Sequence, residues 1–61
     1  MYMIWDYYHG APRLIGQTED KVEVQKIIDN YIQATDYKCD IEVDCNGFDV
    51  TNDFIMKMKV I

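Results

Sequence analysis

The chain contains no serine, one histidine, one proline, two cysteines and three isolated glycines, and it has no surplus of positive charge. Each shortage removes a class of function. Without serine there is no Ser-His-Asp arrangement for acyl transfer. The single histidine, His9, lies in the turn-like stretch His9-Gly10-Ala11-Pro12 and reads as a surface polar group rather than a general base. Glycines standing singly build no phosphate-cradling loop. Cys39 and Cys45 lie on one face of a strand-like stretch, roughly 20 Å from each other by strand rise, too far to bridge within one molecule. With His9 they lack zinc spacing and a fourth ligand. Flanked by Ile41 and Val43, they read as buried free thiols, which fits a reducing compartment and a cytoplasmic location. No apolar run approaches the ~18 residues of a membrane span, and the opening MYMIWDYY lacks the basic region and apolar core of a secretory signal. The expectation is a protein that is not an enzyme and carries no cofactor and no metal.

What is present is a globular composition, 49% hydrophobic and 13% aromatic over 61 residues. Residues 1–61 therefore form a single small α+β domain, near the lower size limit for unaided folding. Glu19 to Thr35 is the one clear helix. Val24, Ile27, Ile28 and Tyr31 follow the i, i+3, i+4, i+7 spacing, with Ile32 and Ala34 at the edges of the stripe. Thr18 is placed to cap its first turn, where Glu19 and Asp20 complement the helix dipole. A helix of this size needs a sheet beneath its apolar stripe.

Strand patterns surround it. Met1 to Tyr8 is apolar on both faces, with Met3, Trp5 and Tyr7 on one side and Tyr2, Ile4, Asp6 and Tyr8 on the other. That suits a central strand. Arg13 to Gln17 is a short returning strand. Tyr37 to Cys45 alternates cleanly, as does Phe54 to Ile61. Pairing Val43 with Met56 and Ile41 with Met58 sets Glu42 against Lys57 and Asp40 against Lys59. A tight turn at Asn46-Gly47 is the competing register. It sets Asp44 against Asp49 and Asp40 against Asp53, so charge pairing favours the wider loop. The predicted fold is ββαββ: one helix on a four-stranded, mainly antiparallel sheet of order 2-1-3-4, with the crossover making strands two and three parallel. The helix is expected to leave uncovered the face carrying Tyr2, Ile4 and Tyr8.

The charge is concentrated. Six acids (Asp36, Asp40, Glu42, Asp44, Asp49 and Asp53) face one base, Lys38, within 18 residues, and this segment holds the entire net charge of −5. Such a surface disfavours direct contact with nucleic acid or anionic membranes. Asp40, Glu42 and Asp44 alternate along one strand at about 7 Å intervals, on the order of the spacing between phosphates in a nucleic-acid strand. The array suits a Lys/Arg-lined groove meant for DNA or RNA.

Two resemblances follow from these residues. Glu42 to Asp53 resembles the calcium loop of EF-hand proteins, with oxygen ligands at loop positions 1, 3 and 5, Gly47 at position 6 and Asp53 at position 12. It departs from that pattern in having Glu42 first, the shorter Asp53 last, Asp49 at an apolar position and a strand leading in. In size, acidity and lack of catalytic machinery the chain resembles small phage-encoded acidic inhibitor proteins of the anti-CRISPR and DNA-mimic type. Leu14-Ile15-Gly16 followed by Thr18-Glu19-Asp20-Lys21 also resembles small bacterial and phage hairpin-helix-strand proteins. The likeness implies a non-enzymatic inhibitor that presents an acidic strand and loop to a basic, nucleic-acid-binding host protein. Its partner-binding residues would be Asp36, Asp40, Glu42, Asp44, Asp49 and Asp53, with Tyr2, Ile4 and Tyr8 as apolar anchors. The alternatives are a homodimerising assembly module, using the uncovered sheet face or the last strand with Ile55 and Ile61 outward, or a calcium-binding loop protein.

Overall fold

The computed structural model describes residues 1–57 as β1 (Tyr2–Asp6), β2 (Arg13–Thr18), α1 (Lys21–Ala34), β3 (Ile41–Cys45), β4 (Phe48–Asp49) and a 3-10 turn at Thr51–Asp53. The sheet order is β2-β1-β3-β4. β1 is antiparallel to both neighbours, so β2 and β3 run parallel on its two sides, as the helical crossover requires.

Cross-strand partners share a face, and the register fixes which face α1 covers. Ile4 lies opposite Val43, and Asp6 opposite Ile41. These residues point under the helix and meet Val24, Ile28 and Ile32, all essentially solvent-free. Tyr2 packs against the same cluster. The expected orientation of β1 is therefore reversed: Tyr2 and Ile4 lie beneath the helix, and Met3, Trp5 and Tyr7 take the open side. Gly16, opposite Ile4, permits this close approach, because a Cβ there would meet two Ile27 carbons at 3.2 Å.

The reversal has a polar cause. Asp6 is 4% exposed, yet all its hydrogen-bonding needs are met. The N–H groups of Tyr8 and Asp40 donate to its Oδ1 at 2.9 and 3.0 Å, and the Tyr31 hydroxyl donates to its Oδ2 at 2.6 Å. Burial opposes ionisation of this carboxyl. The bonds from Asp40, Tyr31 and Tyr8, together with the charge of His9, outweigh it and hold the group below its ordinary value. The same hydrogen bond, then burial, then the charge of Asp6 raise the Tyr31 phenol. One carboxylate thus ties β1, the approach to β3 and α1 together.

The helix begins later than its sequence pattern suggests. Thr18 is the last residue of β2, paired with Tyr2, and its hydroxyl accepts from the Asp20 N–H. Asp20 is the actual cap, accepting from the Val22 N–H at 2.9 Å. At the other end α1 closes with bonds from Asp36 N–H to Gln33 C=O and from Tyr37 N–H to Ile32 C=O. The alternation from Tyr37 onward becomes strand only at Ile41.

The final hairpin takes the tight register. Asn46 and Gly47 both have positive φ, 53° and 87°, the combination that a two-residue hairpin turn demands. Asp44 pairs with Asp49 and Cys45 with Phe48. The facing aspartates do not force the expected wide loop, because each carboxylate has its own donor: Trp5 Nε1–H for Asp44, and the Thr51 hydroxyl and N–H for Asp49. Asp40 never meets Asp53, since β4 ends at Asp49 and the chain turns away. The pairing of Val43 with Met56 is absent. Residues 54–57 run beside α1 instead, with the Gln25 amide bonding both backbone groups of Ile55 at 2.8 and 3.0 Å. Phe54 packs edge-on against Tyr2 at 5.9 Å, and Lys57 lies 3.9 Å from Asp29 rather than opposite Glu42. The expected pairings with Met58 and Lys59 lie outside the described residues.

Replacing Tyr31 with Phe should cost about 1.5–3 kcal/mol, the worth of a hydrogen bond to a buried charge. Because the Asp6 carboxyl is depressed in the folded state, its contribution is present above the unfolded value of about 3.9 and is lost as pH falls through the folded one. Tyr31→Phe moves the folded value upward, so acid unfolding followed by circular dichroism should start at higher pH than in the wild-type chain.

Candidate acidic binding face

The side of the sheet away from α1 carries the chemistry. β1 contributes Met3 and Trp5, with Tyr7 just beyond its end, and β3 contributes Glu42 and Asp44. β4 adds Asp49 directly across from Asp44. β2 adds Leu14 opposite Trp5, 43% exposed, and Gln17 opposite Met3. A groove of about 200 Å³ opens between the strands, lined by Trp5, Tyr7, Glu42, Asp44, Gly47 and Asp49.

Its geometry is held by bonds to groups at its rim. Trp5 Nε1–H donates to Asp44 Oδ2 at 2.9 Å, fixing the indole against the carboxylate row. Thr51 accounts for the far wall. Its hydroxyl donates to Asp49 Oδ1 at 2.6 Å and accepts the Val43 N–H at 3.0 Å, substituting for the strand partner that the short β4 does not supply. Hydrogen bonds from the Thr51 hydroxyl and then its N–H hold the exposed Asp49 carboxyl below its ordinary value, against a small opposing effect of desolvation. The groove therefore presents fixed negative charge beside a large aromatic ring, an arrangement that attracts guanidinium and ammonium groups.

The structure divides the nine expected partner residues. It brings Glu42, Asp44 and Asp49 together, with the exposed Asp40 immediately before β3. Asp36 is elsewhere, in left-handed conformation (φ 53°) where the chain leaves α1, and Asp53 lies in the 3-10 turn. Ile4 is core and Tyr2 half-buried beneath the helix, so neither can anchor a partner on the open face. Tyr8 is 50% exposed but sits in the β1–β2 turn, edge-on to His9 at 5.1 Å. Trp5, Tyr7 and Leu14 were missed as apolar contributors. The tryptophan is the residue type that most often dominates such surfaces, but its side of β1 could be assigned only once Asp6 was known to be buried.

The Glu42–Asp53 stretch folds as a hairpin followed by a 3-10 turn, not as a loop converging on one centre. Among the described residues, no group of three or more His, Cys, Asp or Glu side chains is arranged to hold a metal ion. Cys39 is buried and Cys45 half-buried, both as free thiols. No helix among the described residues is long and apolar enough to cross a membrane. No family model, curated protein or solved structure matches the chain.

Two substitutions separate support from surface. Thr51→Val leaves the Val43 N–H without its acceptor and should cost about 1–3 kcal/mol, with faster hydrogen exchange at the Val43 amide. Asp36→Gly relieves a left-handed position outside the groove and should raise stability by about 0.5–1 kcal/mol in urea unfolding.

Proposed function

We propose that the chain is a non-enzymatic binding protein whose open sheet face docks on a basic, nucleic-acid-handling protein and occupies the surface that nucleic acid would use. The observation that carries this reading is the alignment of Glu42, Asp44 and Asp49 on one face beside Trp5 and Tyr7. Clustered carboxylates supply long-range attraction to a positive patch, and the indole and phenol supply contact area once docked. Asp40 extends the charged row along β3, whereas Asp36 and Asp53 contribute only to the overall field. The anchors are Trp5, Tyr7 and Leu14 in place of Tyr2 and Ile4. A reducing, cytoplasmic setting is part of the same proposal, supported by the free thiols of Cys39 and Cys45.

Trp5 is the only tryptophan, so the groove carries its own probe. Titration with an arginine-rich peptide from a nucleic-acid-binding protein should change Trp5 emission at low salt, and the effect should fade as salt rises. Reversing charge at Asp40, Glu42 and Asp49 together should abolish the response while far-ultraviolet circular dichroism stays unchanged. Emission that ignores the peptide at low salt, or a response that survives the triple reversal, removes the proposal.

A further inference from the structure

The opposite border of the sheet has different chemistry. β2 is the outermost strand there, so among the described residues one side of Arg13–Thr18 has no neighbouring strand. An open strand edge is a template for another strand, and it is commonly blunted by lysine, proline or inward charge. RLIGQT contains no lysine or proline; its one charge, Arg13, stands at its first residue, and its one blunting irregularity is a bulge, where the register with β1 shifts between Ile4 and Trp5.

That bulge determines how two such strands could match. Arg13, Gly16 and Thr18 lie opposite the helix-side residues Asp6, Ile4 and Tyr2, while Leu14 and Gln17 lie opposite the open-side residues Trp5 and Met3. In an antiparallel pairing of two β2 strands, Arg13 meets Thr18 and Leu14 meets Gln17. Each pair shares a face, as sheet pairing requires.

Charge and apolar surface agree with this pairing. Arg13 begins the strand, exposed and with no ion pair among the described residues, and the exposed Glu19 and Asp20 follow its end. Antiparallel alignment puts the cation of each copy beside the acids of the other, twice. Above the same edge, Ile15, Ile27, Asn30, Tyr31 and Ala34 line a largely apolar groove of about 330 Å³ between β2 and α1. A two-fold axis through the paired strands places both helices on one side of the joined sheet, with their two grooves facing across the seam. The acidic strands β3 and β4 lie on the far side of β1, so the groups that give the chain its charge are held apart.

We infer that the chain forms a two-fold homodimer by antiparallel pairing of its β2 edges, with Arg13 of each copy against Glu19 and Asp20 of the other. This interface is separate from the acidic face and does not rest on its proposed role. Sedimentation equilibrium from micromolar to millimolar concentration should give a mass twice that of the 7.2 kDa chain. Arg13→Glu should raise the dimer dissociation constant by about tenfold or more, since two attractive contacts become repulsive, with circular dichroism unchanged. Glu19→Arg, at the other end of the seam, should weaken the dimer in the same way. Combining Arg13→Glu with Glu19→Arg, which leaves the Asp20 cap of α1 in place, should restore it. A wild-type chain that stays monomeric throughout, a dimer indifferent to both single reversals, or a charge swap that fails to restore association overturns the inference.

Discussion

The structure depends on one buried carboxylate. Asp6 sits at the end of the central strand with almost no contact with water, and it accepts from the backbone on either side of it and from a tyrosine on the helix. A buried charge is tolerated only when its hydrogen bonds are complete, so this site admits one arrangement of β1, α1 and the loop before β3. Side chains alternate along a strand. Fixing Asp6 inward therefore fixes Ile4 and Tyr2 inward and Trp5 and Met3 outward. The composition of the open face is a consequence of where this one charge is satisfied.

Much of the architecture was legible in the sequence, because it rests on periodicity. The helical stripe of Val24, Ile28 and Ile32 and the alternation of Ile41 and Val43 specify one helix on a sheet, and the crossover then dictates the order β2-β1-β3. The face of β1 was not legible. Both of its sides are apolar, and Asp6, its one charged residue, points to solvent by every composition rule. The hairpin register was misjudged for a related reason. Two facing aspartates count as repulsive until Trp5 and Thr51 are known to donate to them. The segment from Phe54 alternates like a strand, yet a glutamine amide on α1 engages the backbone at Ile55. No periodic signal encodes that contact.

The candidate site shows the same division. Glu42, Asp44 and Asp49 could be named from charge density and strand spacing, properties written in the chain itself. Trp5 and Tyr7 could be placed beside them only after the inward face of β1 was known. The outcome is a molecule polarised across its own sheet: carboxylates and exposed aromatic surface toward β3 and β4, balanced charge and an apolar groove toward β2. The two borders can therefore engage chemically different surfaces at once.

The brevity of β4 has a consequence for assembly. After two residues its place beside β3 passes to Thr51 and Val50, whose hydroxyl and N–H already engage the backbone of Val43. Among the described residues, the β2 border then offers the full-length strand with an open edge. Two copies that joined there would each consume that open edge, so growth would terminate at a closed pair instead of continuing into a filament.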